Sequence, residues 1–276
     1  MANAPKTTTT AKKEGGNSSN LFASLAIIIC FVIGYLVYEF VMGNPSNFID
    51  GNRENQPVPG NYAGMVYHAG YVVPVLLGLF LMVFVFAIER FIVINRASGT
   101  GNVGNFVRKI QSLINAGNID SAIAECDKQK GSVANVVKSG LLKYKDVSAN
   151  TNLDSEKSVI AIQKEIEETT ALEMPMLEKN MNVLATLVSI GTLTGLLGTV
   201  TGMIKAFSAL ATGGTPDSAK LANGISEALI NTATGIATST FAIVLYNILT
   251  AKIDNLTYSI DEAGFSIVQT YAANHK

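Results

Sequence analysis

Ser189-Ile-Gly-Thr-Leu-Thr-Gly-Leu-Leu-Gly-Thr-Val-Thr-Gly-Met203 and, after a short polar turn, Gly224-Ile-Ser-Glu-Ala-Leu-Ile-Asn-Thr-Ala-Thr-Gly-Ile-Ala-Thr-Ser-Thr240 decide the fold. Both stretches are apolar enough to enter a bilayer, and both are rich in Gly and Thr. In hydrocarbon no water satisfies a Thr hydroxyl, so the hydroxyl must find a protein partner. Gly lets helix backbones approach closely. Such helices suit an interior: a helix bundle, a pore wall, or both. The segment 181–250 is therefore read as two membrane helices joined by an outer turn at 212–223.

Working outward, composition points the same way. Of 276 residues 48% are apolar and 15% charged, against about 25% charged in a soluble domain. Mean hydropathy is +0.31. The apolar residues fall in four blocks with the charges mostly between them, which is the pattern of a polytopic membrane protein. The fold expected is all-α, with long transmembrane helices extending into a cytoplasmic helical bundle. A net charge of −1 gives no basic field for nucleic acid. Cys30 lies in an apolar block and Cys126 in a charged segment, so both read as unpaired thiols packed as small hydrophobes. No metal-ligand spacing, phosphate loop or nucleophile–base pair is visible. Neither an enzyme nor a cofactor is expected.

In chain order, 1–20 is a polar, low-complexity segment expected to be a disordered cytoplasmic N-terminus. Residues 21–42 form an apolar block longer than a signal-peptide core and without a small-x-small cleavage site. It reads as a retained N-terminal transmembrane helix. Glu39 near its end is placed at the interface, because a carboxylate at the bilayer centre costs about 2.5 kcal/mol or more. Residues 43–70 read as a periplasmic loop or amphipathic segment, with His68 in an interfacial aromatic belt. The second span is 71–94. It ends in Glu89-Arg90, read as charges snorkelling to the interface.

Residues 95–180 read as a cytoplasmic helical domain with three apolar stripes: Phe106 to Ile114, Ile119 to Cys126, and Val133 to Tyr144. Gly117-Asn118 stops one helix and caps the next. Asp146 to Leu153 reads as a loop. From Asp154-Ser155 one helix is expected to run without a stop to about Ala211, bent at most by Pro175. Residues 251–276 extend the last membrane helix as a cytoplasmic C-terminal helix. The basic residues Lys12, Lys13, Arg96, Arg108, Lys109, Lys179 and Lys252 cluster near one set of membrane ends, which places both termini in the cytoplasm.

Within 181–250, Gly191 and Gly195 form one GxxxG and Gly198 and Gly202 another. With Gly235 these are candidate helix-packing positions. Thr199 and Thr232 lie at membrane depth, where a buried Thr either bonds its own helix carbonyl or faces a polar path. Glu227, near the start of the second helix, is either a carboxylate stabilised by the helix dipole or a charge in an ion path. Lys205 on the neighbouring helix is its candidate partner, and the sequence leaves that pairing open.

Gly195-Leu-Leu-Gly-Thr-Val-Thr-Gly202 followed by Gly224-Ile-Ser-Glu-Ala-Leu-Ile-Asn-Thr-Ala-Thr-Gly235 and Tyr246-Asn247 closely resembles the ExbB/TolQ/MotA proton-channel family, and its ExbB branch most. The specific match covers about Val188 to Asn247. The resemblance implies a homopentamer in the bacterial inner membrane around two copies of a single-span ExbD-like protein, whose membrane Asp carries protons, with work delivered to a TonB-like energy transducer. Matched residue by residue, Thr199 and Thr232 correspond to the family's pore-lining threonines and Glu227 to its Glu at the start of the last membrane helix. A Thr hydroxyl both donates and accepts but does not titrate, so a proton-carrying carboxylate has to come from a partner. The chain departs from the family in its additional span at 21–42, and in having Thr192 and Phe241 where relatives often have Pro. The expectation is a proton-channel stator subunit energising TonB-dependent outer-membrane transport. The rivals are a TolQ-type or gliding-type stator and, from another class, a passive membrane scaffold.

Overall fold

The computed structural model describes residues 16–149, 154–211 and 218–275. Among the described residues the regular elements are helical, apart from one isolated antiparallel bridge between Phe48 and Pro57. The helices are α1 (Gly16–Leu36), α2 (Tyr62–His68), α3 (Val72–Ala97), α4 (Val103–Asn115), α5 (Ile119–Gln129), α6 (Gly131–Ala149), α7 (Ser155–Glu178), α8 (Met181–Ala211) and α9 (Ser218–Asn274). Among the described residues four helical stretches are long and apolar enough to cross a bilayer: Ala23–Met42, Val72–Ala97 and parts of Ser155–Leu210 and Ser218–Asn274. The protein is an all-α polytopic membrane protein. Of the segment 1–20 expected to be disordered, 1–15 lies outside the described residues, whereas 16–20 is helical and begins α1.

Two compact units can be distinguished, and α3, α8 and α9 each contribute to both. One unit holds the chain up to Met82 together with Thr194–Thr234. Here α1 passes into a π-helical turn, Val37–Met42, closed by the Gly43 amide donating to the Tyr38 carbonyl at 2.9 Å. The α1–α3 crossing is tight, since a Cβ on Gly34 would sit 2.7 Å from the Gly78 amide nitrogen. The segment 43–70 contains two 3-10 turns and α2, whose N-cap Asn61 accepts from the Gly64 amide at 3.1 Å. It is tied to the end of the first span. The Tyr38 hydroxyl donates to the Tyr67 carbonyl at 2.9 Å, the two rings stack at 4.7 Å, and Arg53 pairs with Glu39. The hydrogen bond to Glu39 holds the Arg53 guanidinium above its ordinary pKa. His68 is half-buried, stacked on Phe48, with Nε2 2.8 Å from the Arg53 carbonyl.

The other unit comprises Val83–Leu193 and Gly235–Lys276. The amphipathic stripes pack α4, α5, α6 and α7 in succession, burying Phe106, Val107, Ile110, Ile114, Ala122, Cys126, Val133, Val136, Val137 and Leu141. Asn118 caps α5 by accepting from the Ser121 amide at 3.3 Å, directly after Gly117 with φ +71°. Ile162 and Ile166 of α7 are buried, as are Ile253, Leu256, Ile260 and Ile267 of α9. Burial pushes the Cys126 thiol up to about 12. The Lys109 ammonium, hydrogen-bonded to Glu125, holds that carboxyl below its ordinary value.

Four further expectations are corrected. The long helix from Ser155 is broken: α7 ends at Glu178 and α8 starts at Met181, with Asn180 at φ +62° between them. Asn tolerates the left-handed region that ends helices, whereas Pro175 stays inside α7. Arg90 does not snorkel. It is 3% exposed, pairs with Glu89 and donates to the Met176 carbonyl at 3.2 Å. The last carbonyls of a helix lack intrahelical partners, and a guanidinium has donors enough to serve both a carbonyl and a carboxylate. Ser218 to Asn223, read as part of the outer turn, is the first stretch of α9, and 212–217 lies outside the described residues. Asp146 to Ala149, read as loop, completes α6, while 150–153 lies outside the described residues.

Candidate functional site

The polar side chains of α8 and α9 meet across the helix pair because small residues bring the backbones together. A Cβ on Gly202 would lie 2.7 Å from the Ala228 amide nitrogen, and one on Gly224 would lie 2.8 Å from the Ala206 amide nitrogen. Opposite Gly198 lies the side chain of Asn231, leaving no room for a Cβ there. In the other unit, Gly191 lies against Thr238, Ser239 and the Gly235 carbonyl. Gly195 is buried and its carbonyl faces Thr199.

Thr199 and Thr232 are hydrogen-bonded to each other. Each hydroxyl also faces a carbonyl of its own helix, Thr199 at 3.3 Å from Gly195 O and Thr232 at 3.0 Å from Ala228 O. Two hydroxyl protons thus face three acceptor positions. Either hydroxyl can donate across the helix pair, the other then donating to its own helix carbonyl. Rotating both hydroxyls reverses the direction, so the pair has two proton-ordered states without either oxygen becoming charged.

Toward the other end of α8, Lys205 Nζ lies 2.6 Å from Glu227 Oε1, which resolves the pairing that the sequence left open. The carboxylate side chain is 6% exposed and the lysine 48%. The lysine ammonium also sits 5.2 Å from the Tyr71 ring centroid. Gly70, at φ +85°, packs its backbone against Glu227 and Lys205, where a side chain would strike the carboxylate. A groove lined by Ile204, Lys205, Ser208, Lys220, Asn223 and Glu227 opens on one side of the pair. A small cavity of about 100 Å³, lined by residues including Gln56, Met65, His68, Ser226 and Glu227, lies on another.

Two polar residues here were not legible as site residues. Asn231 is fully buried, and its Nδ2 donates to the Ala69 carbonyl at 3.0 Å. Its Oδ1 is buried without a hydrogen-bond partner, a loss of about 1–3 kcal/mol for an acceptor left unsatisfied. The signal in sequence is its position four residues after Glu227, on the same helix face. The second is Ser239, in the other unit, which accepts from the Thr192 hydroxyl at 2.8 Å. Thr192 and Ser239 each lie seven residues along their helix from Thr199 and Thr232. Among the described residues no cluster of His, Cys, Asp and Glu is arranged to hold a metal ion.

Residues 128–262, which contain Thr199, Lys205, Glu227, Asn231 and Thr232, match the model of the MotA/TolQ/ExbB proton channel family. Over this segment, just under half of its length, the chain is similar to that family. Similar proteins include an ExbB-like biopolymer transport protein of Synechocystis, 39% identical over 87 residues (30% of this chain, 34% of the relative). The biopolymer transport protein ExbB of Pseudomonas putida is 28% identical over 145 residues, 52% of this chain and 44% of the relative. The Tol-Pal system protein TolQ of Pseudomonas aeruginosa is 29% identical over 124 residues, 45% of this chain and 54% of the relative. The aligned part spans from about a third to about half of these relatives' own lengths. The MotA/TolQ/ExbB family is one of channels and transport-energising proteins rather than a known enzyme family.

Proposed function

We propose that the protein is a proton-channel stator subunit of ExbB type, which converts the proton motive force into mechanical work through an ExbD-like partner and energises TonB-dependent transport at the outer membrane. The observation that carries this is the cross-helix hydroxyl pair Thr199–Thr232. It is a neutral donor–acceptor relay on two membrane-compatible helices, with the Lys205–Glu227 pair beyond it. Thr199, Thr232 and Glu227 line the path in this reading. Gly191, Gly195, Gly198, Gly202 and Gly235 hold the helices at the spacing the pairs need.

The carboxylate that carries the proton comes from the partner. In α8 and α9 between 181 and 250 the only acidic residue is Glu227, and it is already engaged by Lys205. In the assembly proposed, five copies of this chain surround two single-span partner helices in the bacterial inner membrane, with both termini cytoplasmic. A TonB-like transducer receives the motion. The drive available is about 2.3 kcal/mol per charge for each 100 mV. A TolQ-type stator is the second reading, favoured by the TolQ relative that matches at an identity equal to that of the Pseudomonas ExbB within one per cent.

The test is native mass spectrometry of the full chain co-expressed with the product of any adjacent gene that encodes a single-span protein. Five copies holding two partner chains is the expected result. A monomer or dimer without a partner would remove the carboxylate the mechanism needs and leave a passive scaffold as the better reading.

A further inference from the structure

Asn231 has an unusual combination of features. Its side chain is fully buried, its amide nitrogen is committed to the Ala69 carbonyl, and its amide oxygen has no partner. The assignment of the two amide atoms is chemically fixed, because only the nitrogen can donate to a carbonyl. The oxygen is therefore the atom left over, at a position in α9 where lipid offers no donor.

The surroundings say what is missing. Glu227 lies one helical turn away on the same face, and Thr232 is the next residue in the chain. The backbone at 69–70 ties the two levels together: Ala69 accepts from Asn231, and Gly70 packs against Glu227 and Lys205. The cavity of about 100 Å³ that ends on Glu227 and Ser226 has room for about three waters, at about 30 Å³ each. His68 and Gln56 also line it. Water thus has a place to stand beside Glu227, one helical turn from Asn231 along α9, and Thr232 of the hydroxyl pair follows Asn231 directly in the chain.

We propose that Asn231 holds a buried water on its Oδ1, and that this water links the Glu227–Lys205 pair to the Thr199–Thr232 pair. The water donates one O–H to the amide oxygen. Its other O–H and a lone pair remain for the chain. A proton taken up at one end is matched by one released at the other, and the amide stays neutral throughout. Asn231 is then a positioning residue for the path. This rests on the proton-path reading of the same site.

The test pairs a direct readout with a functional one, on the full chain with its single-span partner in lipid. Water-edited solid-state NMR of Asn-labelled protein reports whether the Asn231 side chain exchanges magnetisation with water, and Asn231→Ala supplies the assignment. Proton uptake into vesicles is measured in parallel. Transfer from water to the buried Asn231 side chain is expected. So is a drop in flux of about tenfold for Asn231→Ala, with recovery of at least half in Asn231→Ser, which restores an acceptor oxygen. No water transfer, full flux in Asn231→Ala, or equal loss in the Ala and Ser variants would each overturn the proposal. Water at Asn231 in a wild-type complex that passes no protons would uphold the water site and refute the proton-path reading instead.

Discussion

Lys205→Met tests the energetics of the site most sharply. Methionine keeps the length and apolar stem of lysine, so packing on Tyr71 is retained while the charge is lost. Removing one partner of a fully buried ion pair costs about 3–5 kcal/mol, and a fully exposed pair is worth about 0.2–1 kcal/mol. Here the carboxylate is 6% exposed and the ammonium 48%. The loss therefore falls between the two limits, at about 2 kcal/mol, because the anion stays buried while the cation was partly solvated already. Glu227→Gln should cost about 1 kcal/mol, since the amide oxygen still accepts from Lys205 and the lysine can turn to solvent. The decisive variant is the double one. With Glu227 neutral there is no stranded charge, so Lys205→Met should then cost about 0.5 kcal/mol or less, a coupling of about 1.5 kcal/mol. The assay is reversible unfolding of the four proteins in mixed micelles with rising denaturing detergent. An undiminished cost of Lys205→Met in the Glu227→Gln background would show that the two residues act independently and refute the pairing argument.

The remaining expectations concern other parts of the molecule. Gly202→Ala should destabilise by about 1–3 kcal/mol, because its Cβ would meet backbone atoms of α9 at 2.7–3.0 Å; the same unfolding series measures it. Cys126, with its thiol at about 12, should resist alkylation at pH 8, where about one molecule in ten thousand is thiolate, and should react fully once unfolded, as counted by intact-mass spectrometry. Glu125, whose carboxyl is held low by Lys109, contributes stability that is present above its unfolded value of about 4.3 and is lost as pH falls through the lower folded value. Lys109→Met should accordingly be less stable than wild type at pH 6, and the gap should close as the pH is brought below that window.

Much of this architecture is legible because membrane helices and amphipathic stripes announce themselves by length and period. Val72–Ala97 and the buried faces of α4 to α6 follow from hydrophobic pattern alone, and Gly117-Asn118 is a local stop-and-cap signal that needs no tertiary context. The break at Asn180 was hidden because Asn is an ordinary residue until its φ turns positive. Arg90 was hidden because an adjacent Glu-Arg at a span end looks like snorkelling, while the carbonyl it binds at Met176 is 86 residues away. The same holds at the site. Thr199, Thr232 and Glu227 stand out as polar residues in apolar helices, but Asn231 gains its meaning from Ala69, a residue 162 positions distant.

The central claim is that protons pass by way of the Thr199–Thr232 pair. The most direct measurement is proton uptake by vesicles containing the full chain with the proposed single-span partner, comparing wild type with Thr199→Val and Thr232→Val combined. Valine matches threonine in shape but carries no hydroxyl. The account expects a complex that assembles with unchanged stoichiometry and loses at least tenfold in flux. A complex that assembles and conducts at the wild-type rate would contradict it.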